Sequence, residues 1–331
     1  MTIILGIEST AHTFGIGIVK DGKIIANIRD MYTTESGGII PIESAKHHAR
    51  LSHELYEKAI EVARIKEKDI DAIAFSQSPG LAPCLLEGMK FAKEISIKLK
   101  KPLIGVNHCV SHLEVGQTTG AKDPVMLYTS GANTQVIAYA SGKYRVFGET
   151  LDIGVGNFID NFARCSGIGF PGGPAIEKLA KGGKNLIELP YKVKGMDIAL
   201  SGILTNLKQK FESKKYTMED LSYSLQETVF AMLVETAERA LAHTGKTELL
   251  LGGGVACNLR LQEMCKIMCK ERGAKFFCPE RSLLVDNGAM IAFLGEIMFK
   301  SKANTFSYEK LKEVDIHPTE RTDDIEVKWK N

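Results

Sequence analysis

The 331-residue chain is short of several features that would direct a reading at once. Its 7 cysteines are scattered, with no CxxC pair and no even-numbered framework, so neither a disulfide scaffold nor a cysteine zinc site is indicated. Cys265 and Cys269 lie one helical turn apart and read as small apolar residues on the buried face of a helix. No apolar run approaches the roughly 20 residues that a membrane span requires. The start, Met1 to Glu8, lacks a basic segment and reaches a carboxylate within one strand, which excludes a signal peptide reading. A formal charge of only +2 leaves no basic footprint over the whole molecule. If RNA is a substrate, the basic surface is local or partly supplied by partners. Neither GxGxxG nor the P-loop spacing occurs at the glycine-rich turns, which argues against a Rossmann dehydrogenase and a Walker ATPase. Together these absences predict a soluble, cytoplasmic globular protein in a reducing compartment.

What is present is a repeat. Ile3–Ile7, Gly15–Lys20 and Lys23–Arg29 read as three strands, the last two joined by the Asp21-Gly22 hairpin signal. Pro41 opens a helix to about Arg64, followed by strand, helix, strand (Leu103–Val106) and a helix from His108. The pattern restarts with strands at Val125–Thr129, Thr134–Ala140 and Tyr144–Thr150. Helices follow near 157–165, 173–180, 203–211 and 221–242, then a strand at 248–251, a helix at 258–272, a strand at 275–277 and a last helix from Asp286. This predicts an α/β fold of two related halves, residues 1–120 and 121–300, the second carrying a helical insertion, with a ligand cleft between them. Residues 301–331 read as a charged peripheral tail with a short helix around Tyr308–Lys312. Each half opens on a small polar turn, Glu8-Ser9-Thr10 and Ser130-Gly131-Ala132-Asn133-Thr134, whose amides and hydroxyls suit phosphate oxygens.

Within this frame, His108 and His112 stand at i and i+4 on one helix face, close enough to share a metal. The zinc-protease motif needs Glu directly after the first histidine; here that residue is Cys109, and Glu114 lies on the far side of the pair. His47, His48 and His53 have no other ligands placed around them and read as a polar helix face. Gly252-Gly253-Gly254 to Asn258 joins a buried strand to a helix, where a flat base or ribose can approach the backbone. Asp160 and Glu177 suit the hydroxyls of a ribose, and Gly173 belongs to a second glycine turn entering a helix. Asp286 reads equally as a helix N-cap or as a metal ligand.

Taken together, Gly6-Ile-Glu-Ser-Thr10, Asn107-His108…His112, Tyr128–Asn133, Gly169–Gly173, Gly252–Asn258 and Asp286–Met290 resemble the universal tRNA threonylcarbamoyladenosine transferases. The likeness is to the archaeal and eukaryotic branch, the catalytic subunit of the KEOPS complex, and covers about residues 1–300. It implies the duplicated fold of actin, sugar kinases and chaperone ATPases. It implies one metal ion per subunit on His108, His112, Tyr128 and Asp286, and substrate or adenine-nucleotide contacts at Tyr128, Thr129, Ser130, Gly131, Ala132, Asp160, Gly173, Glu177 and Asn258. Two imidazoles, a phenolate and a carboxylate favour iron, with zinc as the alternative, over magnesium.

The implied reaction transfers a threonylcarbamoyl group from its adenylate to the exocyclic amine of the adenosine beside the anticodon, in tRNAs reading codons that begin with adenine. AMP leaves. The implied partners are tRNA, KEOPS subunits including a separate small protein kinase and a small dimerising subunit, and a synthase that supplies the adenylate. No catalytic base is assigned; Glu8 and His12 stand near the first turn, and Lys192, Lys194, Lys208 and Lys210 are candidate phosphate contacts. The rival readings are a metal-dependent endopeptidase, a phosphotransferase or ATPase of the same superfamily, and a non-enzymatic scaffold.

Overall fold

The computed structural model describes residues 1–34 and 38–330. The chain opens with β1 (Ile3–Glu8), β2 (Thr13–Lys20) and β3 (Lys23–Met31), followed by α1 (Pro41–Ala63), β4 (Ala72–Ser78), α2 (Ala82–Leu99), β5 (Leu103–Asn107) and α3 (His108–Glu114). It begins again with β6 (Val125–Thr129), β7 (Thr134–Ala140) and β8 (Lys143–Glu149), then α4 (Val155–Cys165), α5 (Gly173–Ala180) and a two-strand ribbon, β9 (Val193–Lys194) with β10 (Asp197–Ile198). There follow α6 (Ser201–Glu212), α7 (Met218–Thr244), β11 (Glu248–Gly252), α8 (Leu259–Arg272), β12 (Lys275–Phe277), α9 (Arg281–Leu284), α10 (Gly288–Ser301) and β13 (Thr305–Phe306).

Two larger sheets result, ordered β13-β5-β4-β1-β2-β3 and β12-β11-β6-β7-β8. Apart from β13, they have the same plan: an antiparallel meander of three strands, then two strands added in parallel to the first. This is the repeat expected from the sequence. The parallel strands β4 and β11 are covered on both faces, which is why they read as short apolar runs without alternation.

One apolar core lies between the first sheet and α1 with α2. Another lies under α4 to α8 on the second sheet. A third is shared: it joins β1, β4, β5, β6 and β11 side chains to α3 and α10. Helix α10, inside the expected span 121–300, packs across the first sheet. Its approach depends on missing side chains, since a Cβ on Gly17 would stand 2.1 Å from the Ala289 nitrogen. Fully buried Met290, Ile291 and Leu294 then anchor it, each contributing about 1.5–3 kcal/mol by leaving water.

Two expectations change. The last helix starts at Gly288, two residues beyond Asp286, because Asn287 is the N-cap and accepts the Met290 N–H at 2.9 Å. The segment after Ser301 is not peripheral. Only a 3-10 turn at Leu311–Glu313 stands where a short helix was expected, and Leu311, Val314, Thr322 and Val327 are buried. Among the described residues, no helix is long and apolar enough to cross a membrane.

Candidate functional site

Strand β5 delivers the chain into α3 at Asn107, whose side chain caps the helix by accepting the Val110 N–H at 3.1 Å. His108 and His112 follow one turn apart, with ring centroids 4.8 Å apart and the rings nearly perpendicular. Because Asn287 takes the capping role, Asp286 is released to face them. Its Oδ1 lies 3.3 Å from His108 Nε2 and 3.5 Å from His112 Nε2. One ligand atom from each residue lies within 4.8 Å of the others, so the three can hold one metal ion.

The donor set fits such an ion. His112 Nε2 is buried, 3.5 Å from Asp286 Oδ1, and has no hydrogen-bond partner among the described residues. His108 Nδ1 is engaged on its other side, donating to Glu8 Oε2 at 2.9 Å, which fixes the tautomer that turns Nε2 toward Asp286. Glu8 is itself fully buried and held by the Thr10 N–H and hydroxyl at 2.7 and 2.6 Å.

Among these side chains the electrostatics are those of a buried ion pair. Burial alone would lower the His108 pKa, but the carboxylates of Glu8 and Asp286 outweigh it and hold it well above the usual histidine range. Burial pushes His112 down. For Asp286, burial works upward, yet the two imidazoles hold it well below the ordinary carboxylate range.

The cluster opens onto a cleft of about 980 Å³. Ser130, Gly131, Ala132, Asp160, Gly173, Glu177, Asn258, His108 and Asp286 all line it, as does His12. Tyr128 and Thr129 lie behind the wall and are fully buried. The Tyr128 ring is 5.2 Å from that of His112, and burial raises its hydroxyl well above the usual phenol range. The Thr129 hydroxyl donates to the Gly252 carbonyl at 3.1 Å. Asp160 accepts the Gly172 N–H at 2.8 Å, and burial raises its pKa. Glu177 accepts the Leu259 N–H at 3.0 Å. The Asn258 amide is occupied in capping α8, accepting Arg260 N–H at 2.9 Å while donating to Gln226. Gly253, at φ 89°, lets this turn press on the second polar turn, since a Cβ there would meet the Thr129 carbonyl at 2.5 Å.

Lys192 and Lys194 are away from the cleft wall, as are Lys208 and Lys210; Lys210 instead stacks over Tyr216 at 5.2 Å. The polar-face reading of the other histidines fails at His48, which is fully buried and donates to the Ala11 carbonyl at 3.0 Å. Sequence reasoning also missed Glu320, Arg321 and Thr322, which line the cleft from the chain's last segment. Charge and Pro318 made that segment look like solvent-exposed tail, and no local signal distinguishes it.

Two duplicated sheets with a cleft between their strand ends define the actin-like class of two-sheet α/β proteins. Structures of that kind are similar at the level of the fold. HypF from T. kodakarensis has a TM-score of 0.64 and 16% identity, covering 90% of this chain and 47% of that one. Component A of the (R)-2-hydroxyglutaryl-CoA dehydratase of Acidaminococcus fermentans has a TM-score of 0.54 and 14% identity, covering 95% and 100%. The family model for tRNA N6-adenosine threonylcarbamoyltransferase matches residues 23–293. The protein of that name from Thermococcus kodakarensis is 56% identical over 327 residues, 99% of each chain. A probable bifunctional tRNA threonylcarbamoyladenosine biosynthesis protein from Methanosarcina mazei is 52% identical over 99% of this chain and 60% of its own length. The chain therefore belongs to the tRNA N6-adenosine threonylcarbamoyltransferase family and is a transferase.

Proposed function

We propose that the chain transfers threonylcarbamoyl from its adenylate to the N6 amine of the adenosine beside the anticodon, in tRNAs reading codons that begin with adenine. The observation that carries this is the juxtaposition of a His108–His112–Asp286 group with the open Ser130–Asn133 turn in one cleft of a family member. In this reading His108, His112 and Asp286 hold a metal ion, iron or zinc by the softness of the donors, with Tyr128 as a further ligand. Bound there, the ion supplies Lewis acidity to the carbamate carbonyl.

The remaining work falls to the chain. The amides and hydroxyl of Ser130, Gly131 and Ala132 receive the phosphate. Asp160 and Glu177 accept hydrogen bonds from ribose hydroxyls, and the Gly254–Asn258 turn supports the base. The tRNA amine forms a bond to the carbamate carbon, the bond from that carbon to the phosphate oxygen breaks, AMP departs with the electron pair, and the proton lost from the amine nitrogen passes to water. The cleft holds both reactants in one orientation, which removes the entropic cost of their encounter.

The adenylate would come from a separate synthase. A small kinase and a small dimerising subunit of a KEOPS-type assembly would accompany the chain in the cytoplasm. A reconstitution tests the reading: unmodified tRNA, threonine, bicarbonate, ATP and the adenylate-forming enzyme, with and without this chain. Threonylcarbamoyladenosine should appear in digested tRNA only when the chain is present. Its absence even with the partner subunits added would overturn the proposal.

A further inference from the structure

The last segment is a strap between the two sheets. It leaves β13, which pairs with β5, and runs over the end of β4. There Gln77 Nε2 donates to the Asp315 carbonyl at 2.6 Å, His317 N to the Gln77 carbonyl at 3.0 Å, and Gly80 N to the Pro318 carbonyl at 3.1 Å. It then passes the cleft and lands on the second sheet, where Thr322 donates to Gln135 at 3.2 Å and Arg321 pairs with Glu149 at 3.1 Å.

Glu320 stands at the crossing. Its Oε2 accepts from the Ser78 hydroxyl and, at 3.3 Å, from Asn107 Nδ2. Asn107 Nδ2 also donates to Ser78 Oγ at 3.3 Å, while Asn107 Oδ1 caps α3. A side-chain amide has a donor end and an acceptor end, and capping needs the acceptor end on the Val110 N–H. Glu320 can only accept, so it admits the amide in the capping orientation and rejects the flipped one. The residue after Asn107 is His108, and one turn later comes His112.

We propose that Glu320 is a positioning residue for the metal site: through the Asn107 amide it holds the first turn of α3 and so aims His108 and His112 at Asp286. The inference rests on the metal reading above and assigns to the strap a part in the cleft's chemistry that reaches back across 213 residues of sequence.

The test uses the full chain, stripped of metal and titrated with Co²⁺, reading affinity and the visible absorption band, with backbone hydrogen exchange across residues 107–114. Glu320→Ala should bind Co²⁺ about tenfold more weakly, as removal of outer partners of metal ligands does, with a changed band and faster exchange. Glu320→Gln keeps an acceptor oxygen but adds a donor that also admits the flipped amide, so it should restore all three only in part. Asn107→Asp retains a good cap but sets two carboxylates face to face, so it should weaken Co²⁺ binding, and adding Glu320→Gln should restore it. This second pair decides the matter if Glu320→Ala does not fold. Unchanged affinity, band and exchange in Glu320→Ala, or in Asn107→Asp, would overturn the inference alone. Failure of the unaltered chain to take up Co²⁺ would overturn the metal reading and this inference with it.

Discussion

The two polar turns at the heads of the sheets occupy matching places in a duplicated frame but have opposite characters. The first, after β1, is closed: Glu8 is buried and bound to Thr10 and His108, and buried His48 braces the Ala11 carbonyl from below. The second, after β6, is open, with Gly131 and Ala132 exposed and only small side chains around them. The duplication thus yields one rigid turn that fixes a charged cluster and one unobstructed turn suited to an anion. A single symmetric use of both turns, as two phosphate loops, does not fit the first turn, whose carboxylate faces a histidine.

The comparison breaks most sharply at the proposed metal ligands. His112→Ala or Asp286→Ala should remove metal binding and reduce transfer by about a thousandfold, the loss of several kcal/mol of Lewis-acid stabilisation. Single-turnover transfer with excess metal would check this, and near-normal rates would end the division of roles.

The bracing of the first turn has a pH signature. Burial lowers the His48 pKa to about 4 from 6.5, so the neutral ring is the folded form. Its contribution is fully present above pH 6.5 and is lost as pH falls toward 4, up to about 3 kcal/mol in all. His48→Gln should therefore lose less stability than the unaltered chain between pH 7 and pH 4, measured by urea unfolding. Parallel losses would show that His48 does not brace the turn.

A smaller effect is expected at Glu8. Replacing it with Ala frees His108 Nδ1 and should weaken metal binding by roughly 10- to 100-fold while leaving adenylate affinity unchanged. The second turn should give the converse. In Gly156→Ala the new Cβ would meet Gly131 Cα at 2.7 Å, displacing the turn. That should raise the adenylate KM by about tenfold with metal affinity intact. Should either variant impair both ligands equally, the two turns would not be separable.

Much of this was legible in the sequence because the signals are local. The Asp21-Gly22 hairpin, the restart at Val125 and the i, i+4 pair of His108 and His112 depend on neighbours a few residues apart. The family motifs extended that reading to the cleft. Asp286 was ambiguous because cap and ligand need the same residue type at nearly the same place. The decision came from Asn287, and behind it from the tight seat of Gly288 on Gly17, 271 positions earlier in the chain and 2.2 Å from the Gly288 Cβ position. His48 stands at helical spacing with Ala45, Ser52, Leu55 and Ala59 on the buried face of α1, but its polar ring beside His47 and His53 masked that periodicity.

The strap is the clearest case of information absent from local pattern. Glu114, fully buried, is satisfied by Tyr144, Gln117, Trp329 and Lys330, the last two from a segment that reads as tail. What the sequence alone determined was the duplicated α/β frame, the spacing of the histidines and the small residues of the second turn, since periodicity and turn chemistry act over a few residues. Only the tertiary structure decided which carboxylate faces the histidines, which end of Asn107 caps their helix, and that Pro318 to Thr322 of the last segment line the cleft. Those outcomes follow from long-range contacts, where burial forces each polar group to find a partner wherever the fold brings one.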